Sequence, residues 1–172
     1  MASLTSRLAR IWRHRWVDDA DVRRALPADM LKRLEQRVGA SERRHTGEIR
    51  ICVEAGLPMS YLWRDATARE RAIMMFSKLR IWDTADNNGV LIYLLLAEHA
   101  IEIVADRGID LHVDSEDWAA MARRMGEAFR EGRFEDGLTQ ALEEVSAVLV
   151  EHFPLAEGEA DRNELPDAPV IL

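Results

Sequence analysis

The stretch Asn88-Gly89-Val90-Leu91-Ile92-Tyr93-Leu94-Leu95-Leu96-Ala97-Glu98-His99-Ala100-Ile101-Glu102-Ile103-Val104-Ala105 decides the fold. Val90 to Leu96 is apolar on both faces, as a strand internal to a covered sheet must be. Ile101 to Ala105 then alternates after only the four residues 97–100, so the two runs pair as an antiparallel hairpin with a tight turn. Upstream, Ile49, Ile51, Val53 and Ala55 alternate with Glu48, Arg50, Cys52 and Glu54, the pattern of a half-buried strand. Between these strands Gly56 and Pro58 break the chain, and Ala68, Ala72, Met75, Phe76 and Leu79 recur at helical spacing up to Trp82. Downstream, Trp118, Met121, Met125 and Phe129 mark one helix and Leu138, Leu142, Val145, Leu149 and Phe153 another, separated near Gly132. The order strand, helix, strand, strand, helix, helix implies an α/β three-layer sandwich: a mixed sheet with an antiparallel hairpin and helices on both faces.

Ahead of the first strand, Pro27 opens a helix carrying Met30, Leu31, Leu34 and Val38, with Gly39 as its expected stop. Leu4, Leu8, Ile11 and Trp12 share one face of an earlier helix that also carries Arg7, Arg10, Arg13 and Arg15 before the first acid, Asp18. Such a basic amphipathic helix either docks its apolar stripe on its own domain, the reading favoured here, or gives residues 1–16 a weak association with an anionic surface. Beyond Pro154 the chain holds five acids and no apolar period before Val170, and reads as mobile or laid on the surface. The expected organisation is an N-terminal helical segment (1–43), an α/β domain (44–153) and an acidic tail (154–172).

At 172 residues the chain suits one domain, and 48% hydrophobic with 31% charged residues suits a globular protein. The net charge of −8 is uneven: residues 1–50 hold twelve Lys and Arg against seven acids, residues 51–172 eleven against twenty-four. An acidic body repels phosphate backbones, which argues against nucleic acid as a partner. No apolar run reaches the roughly 18 residues that span a bilayer, and no signal-peptide core opens the sequence. One cysteine, Cys52, excludes an internal disulfide and suits a reducing compartment, so a cytoplasmic location is expected.

The topology places a site. If the first two strands are parallel through a right-handed crossover, their starts share an edge of the sheet, and the hairpin returns the third strand there. Three loops then converge, carrying Glu48, then Asp83, Asp86, Asn87 and Asn88, then Asp106, Arg107, Asp110 and Asp114. Carboxylates with amide oxygens suit a hard divalent cation, Ca2+ or Mg2+, for which Asp83, Asp86, Asn87, Asn88, Asp106 and Asp110 are the candidate ligands. The same residue types also close turns, and Asp114 can cap the helix after it, though Asp117 stands where a full capping box wants a longer side chain. His112 is a further candidate, against the plainer reading of a solvated loop histidine.

Phosphate-cradling Gly-Lys-Ser/Thr loops, Gly-x-Ser-x-Gly elbows and paired zinc-protease histidines are absent from the sequence. Cys52 reads as structural, and Arg44-His45 as a chance fragment of a histidine-phosphatase motif, since it precedes the strand and Thr46 separates His45 from Gly47.

Four segments together carry a resemblance: His45-Thr46-Gly47-Glu48-Ile49-Arg50, Leu79-Arg80-Ile81-Trp82-Asp83, Asn87-Asn88-Gly89-Val90-Leu91 and Asp106-Arg107-Gly108-Ile109. With Phe134-Glu135-Asp136-Gly137-Leu138 leading into the last helix, residues 44–153 resemble a TPM domain. The resemblance implies an α/β sandwich, acid-phosphatase-like activity as in thylakoid relatives, and divalent-cation binding with accessory roles as in others. Many relatives carry a signal peptide and a membrane anchor; the expectation here is a cytoplasmic bacterial branch with neither. Where many relatives have a Gly-rich turn after the third strand, this chain has Asp106-Arg107-Gly108.

Two functions of different class follow. One is an interaction or accessory module with a cation-binding acidic edge and a protein partner, favoured by the missing nucleophile, the basic N-terminal helix, the acidic tail and five tryptophans. The other is a cation-dependent phosphomonoester hydrolase in which Asp106 and Arg107 are catalytic, a metal held by Asp83, Asp86, Asn88 and Asp106 polarising the phosphoryl group and Arg107 stabilising its charge.

Overall fold

A computed structural model describes residues 4–156, 158 and 163–172. Three helices open the chain, α1 (Leu4–Trp16), α2 (Asp19–Ala25) and α3 (Ala28–Glu42), before β1 (Ile49–Glu54), α4 (Met59–Trp63) and α5 (Ala68–Lys78). The hairpin follows as β2 (Val90–Leu95), a 3-10 turn (Leu96–Glu98) and β3 (Ala100–Ala105), then α6 (Arg107–Asp110), α7 (Ser115–Arg130), α8 (Phe134–His152) and β4 (Val170–Ile171). The sheet order is β3-β2-β1-β4. β1 and β2 run parallel with Ile49 opposite Val90, and β2 and β3 antiparallel with Val90 opposite Ala105. His99 closes the hairpin in the left-handed region, φ 48°.

The sheet is covered on both faces, which is why β2 could be apolar throughout. One core joins Ile49, Ile51, Val53, Ile92, Leu94 and Ile103 to α2, α3, α7 and α8. The other joins Cys52, Leu91, Tyr93, Leu95 and Val104 to α5 and to Leu62 of α4. The expectation of a half-buried β1 is therefore corrected: all six of its residues are buried. Glu54 survives there because Arg71 of α5 binds it through two hydrogen bonds (2.8 and 2.6 Å) and the Tyr93 hydroxyl donates to it (2.6 Å). Arg50 donates to the Ala168 carbonyl (3.1 Å).

One further expectation changes and two narrow. Gly39 does not stop its helix; α3 continues to Glu42, and a methyl group on Gly39 would sit 2.5 Å from Asp167 Oδ2. α1 docks on its own domain with Ile11 of its apolar stripe packed on the second core and Arg10 and His14 bonding Glu98, while Leu8 and Trp12 of the stripe stay exposed. Leu4 lies in α1, and its side chain lies outside the described residues. Of the two readings of the tail, laid on the surface holds for its last residues: β4 adds to β1 in parallel (Cys52 opposite Val170) and the Leu172 N–H donates to the Val53 carbonyl (2.9 Å). Glu157, Glu159 and Asp161 of the tail lie outside the described residues.

Candidate functional site

The loops before β1, before β2 and after β3 meet at one edge of the sheet, tied by backbone hydrogen bonds. Val90 N–H donates to Glu48 O (2.8 Å), Asp106 N–H to Gly89 O (2.9 Å) and Gly108 N–H to Asn87 O (3.0 Å). The loop after α5 turns tightly because Arg80 (φ 57°) and Asn87 (φ 52°) occupy the left-handed region, which Asn tolerates better than most residues. Gly108 lies so close to the preceding loop that an added Cβ would come within 2.7 Å of the Asp86 carbonyl and 2.6 Å of the Asn87 carbonyl. Only glycine lets the start of α6 approach those two oxygens.

Asp106 sits at the centre of the edge and is 5% exposed. Its Oδ1 accepts the Arg107 N–H (2.7 Å), and its buried Oδ2 has no hydrogen-bond partner among the described residues. A buried carboxylate oxygen without a partner is costly, and a cation is one way to satisfy it. Asp110 stands on the same short helix; burial raises its carboxyl above the ordinary value, Arg69 opposes that rise and Asp106 adds to it. Arg69 reaches in from α5, donating to the Ile103 carbonyl and lying 3.7 Å from Glu102. Arg107 is exposed.

The other candidates are distributed differently. Asp83 and Asp86 are exposed, Asp83 lying 3.5 Å from Arg80. Asn88 is buried, its side-chain amide donating to Thr46 Oγ1 (3.1 Å) and its N–H bonding Thr84 Oγ1 (3.1 Å), so its side chain braces the loops against each other. Among the described residues no three His, Cys, Asp or Glu side chains group closely enough to hold a metal ion by themselves. Any cation here would therefore lean on carbonyl and amide oxygens and on water as well as Asp106, a donor mixture that calcium and magnesium accept. Asp114 is the N-cap of α7 without a side-chain capping bond. His112 stacks on His152, ring centroids 4.5 Å apart, with Phe153 edge-on.

The partners of two residues at the edge were not legible in the sequence. Glu48 accepts the N–H groups of Glu164 (2.7 Å) and Leu165 (3.1 Å), and the Glu164 carboxylate accepts the Ala85 N–H (3.1 Å). The C-terminal strap is thereby pinned across the loop that carries Asp83 and Asp86. His45 is buried beside this region; its Nδ1–H donates to the Gly47 carbonyl (2.9 Å), leaving Nε2 to accept from Ser41 (2.8 Å), and Ser41 meets Ser146 of α8 (2.6 Å). It links helices, consistent with a structural residue. Cys52 is buried, and that burial pushes its thiol up to about 12, against thiolate chemistry.

No helix among the described residues is long and apolar enough to cross a membrane. No curated protein matches the chain. Among solved structures, the NMR structure of the BA42 protein from the psychrophilic bacterium Bizionia argentinensis is similar over 86% of this chain and 95% of its own, with TM-score 0.70 and 26% identity. The solution NMR structure of the N-terminal domain of a protein from P. gingivalis shares the fold at TM-score 0.60 and 18% identity, over 77% of this chain and 83% of its own. A family model described as the TPM domain matches residues 18–148, the region holding β1 to β3 and all three converging loops, and the chain belongs to the TPM-domain family.

Proposed function

We propose that this TPM-domain protein is an accessory module whose loop edge takes a divalent cation, Ca2+ or Mg2+, and presents it or its loops to a protein partner. The observation that supports this most is Asp106, whose Oδ2 is buried without a partner among the described residues, beside the carbonyl-lined approach of Gly108. Asp106 would be the fixed ligand; Asp83, Asp86, Asn87 and Asp110 would supply further oxygens from the loops, with Asn88 holding those loops in register. Binding would quench repulsion among these acids and stiffen the edge. A weak surface association through residues 1–16 is compatible with the same module role.

The hydrolase reading rests on one feature, the exposed Arg107 next to Asp106, placed where it can meet a phosphate. The test measures melting temperature and hydrolysis of a generic phosphate monoester with millimolar Ca2+ or Mg2+. A cation that binds only the folded state at a hundredfold excess over its dissociation constant adds about 2.7 kcal/mol. The module reading expects that stabilisation, its loss in Asp106→Ala, and no turnover. Turnover abolished by both Asp106→Ala and Arg107→Ala establishes the hydrolase instead; no stabilisation and no turnover refutes both.

A further inference from the structure

α1 is held to the domain by its polar side. Arg7 donates to the Trp63 carbonyl (2.7 Å); Arg10 to Glu98 (2.6 Å), Asp65 (3.1 Å) and the Ala66 carbonyl (2.7 Å). His14 is buried, its Nδ1 accepting the Leu57 N–H (2.9 Å) and its Nε2–H donating to Glu98 (2.9 Å). At 3.6 residues per turn these anchors, with Ile11, span about 100° of the helix, and Leu8, Trp12 and Trp16 fall within about 80° on another side. Those three are 57%, 65% and 69% exposed, and the two indoles stack with centroids 5.2 Å apart. Arg13 and Arg15 flank the indoles in the helical wheel and are exposed, and their side chains have no hydrogen bond or ion pair among the described residues. Of the acids just beyond the helix, Asp18 caps α2 and Asp21 pairs with Arg24, while Asp19 is exposed in the first turn of α2.

The geometry points to a docking surface for an anionic lipid bilayer, formed by the Leu8-Trp12-Trp16 ridge with Arg13 and Arg15 as its phosphate contacts. Indoles combine a large apolar face with one N–H donor, which suits the headgroup boundary, and unpaired guanidiniums at the same level complement lipid phosphate. Charge placement over the whole molecule agrees. α1 lies at the end of the sheet marked by Gly56 and Glu98, whereas Asp83, Asp86, Asp106 and Asp110 lie at the other. Six-residue strands separate the two ends by roughly 20 Å, more than twice the Debye length of about 8 Å at physiological salt. A bilayer contacting the ridge therefore leaves the acidic loops in water.

The test uses the full chain in EDTA, so that it is independent of any cation at the acidic edge. Co-sedimentation is measured with vesicles of phosphatidylcholine alone and with phosphatidylserine added, for the wild type, Trp12→Ser/Trp16→Ser, Arg13→Gln/Arg15→Gln, and Trp82→Ser, an exposed indole beside the acidic loops. Expected are at least fivefold stronger binding to the anionic vesicles, loss of about tenfold in the tryptophan pair, weakening in the arginine pair and at 0.5 M salt, and no change in Trp82→Ser. Because the substituted side chains are exposed, melting temperatures should hold within a few degrees. Absence of binding to anionic vesicles, or equal binding by the tryptophan pair, overturns the proposal. So does a concentration-dependent dimer that is abolished by Trp12→Ser/Trp16→Ser, which makes a second copy the occupant.

Discussion

Arg71 and Glu54 form a nearly dry ion pair beneath α5, their side chains 9% and 6% exposed. Burial alone would favour the neutral guanidine, yet the two bonds to Glu54 outweigh it and hold Arg71 firmly cationic; burial and the Glu54 charge together push the Tyr93 phenol upward. Breaking such a pair from one side strands the other charge. Arg71→Met is therefore expected to cost about 3–5 kcal/mol in urea denaturation, and adding Glu54→Gln to recover part of it, since a neutral amide tolerates the site better. A cost below about 1 kcal/mol for Arg71→Met would contradict this account of β1. The alternation from Ile49 to Ala55 correctly sorted the two faces of that strand, but alternation cannot tell solvent from a second covered face. Only the partner, seventeen residues further on in α5, makes Glu54 a buried residue.

Among elements, α1 and β4 are where sequence periodicity falls short, for different reasons. Hydrophobic spacing assigned the Leu4, Leu8, Ile11 and Trp12 stripe to the interior; Ile11 packs there, Leu8 and Trp12 do not, and Arg10 and His14 dock the helix because Glu98 at the hairpin turn gives them a partner. Burial disfavours the Glu98 carboxylate, but the bonds from His14 and Arg10 outweigh it and leave its pKa below the ordinary value. A depressed carboxylate contributes stability above its unfolded pKa of about 4.3 and loses it as pH falls through the folded value. The stability difference between wild type and Glu98→Gln should thus shrink as the pH falls below about 4.5; a difference that persists undiminished in strong acid would contradict the docking described. β4 is two residues long and has no period to detect, being recruited by register against β1. Removing residues 169–172 leaves the Ala55 N–H and the Val53 carbonyl without Leu172 and opens the edge of β1. The expected result is a lower melting temperature and concentration-dependent association in sedimentation velocity, because an uncovered edge strand templates pairing.

At the scale of the molecule, the site was legible because topology alone determines which strand ends coincide. A parallel pair followed by a hairpin brings the loops of Asn88 and Asp106 together whatever their side chains do, and the bonds from Asp106 to Gly89 and from Gly108 to Asn87 realise that geometry. Side-chain roles within the edge were less legible. Glu48, counted among the converging acids, holds the C-terminal strap, and Asn88 braces Thr46, because each finds a partner distant in sequence. What remains at the heart of the edge is Asp106 with an unsatisfied oxygen, and the central claim is that a divalent cation completes it. The direct measurement is a calcium and magnesium titration followed by backbone amide signals, with Glu127→Gln, on the exposed face of α7, as the control variant. The account predicts saturable shifts confined to Asp83–Gly89 and Asp106–Asp110, retained in Glu127→Gln and lost in Asp106→Ala. Unmoved signals in both segments at millimolar cation, or shifts that persist in Asp106→Ala, would contradict it.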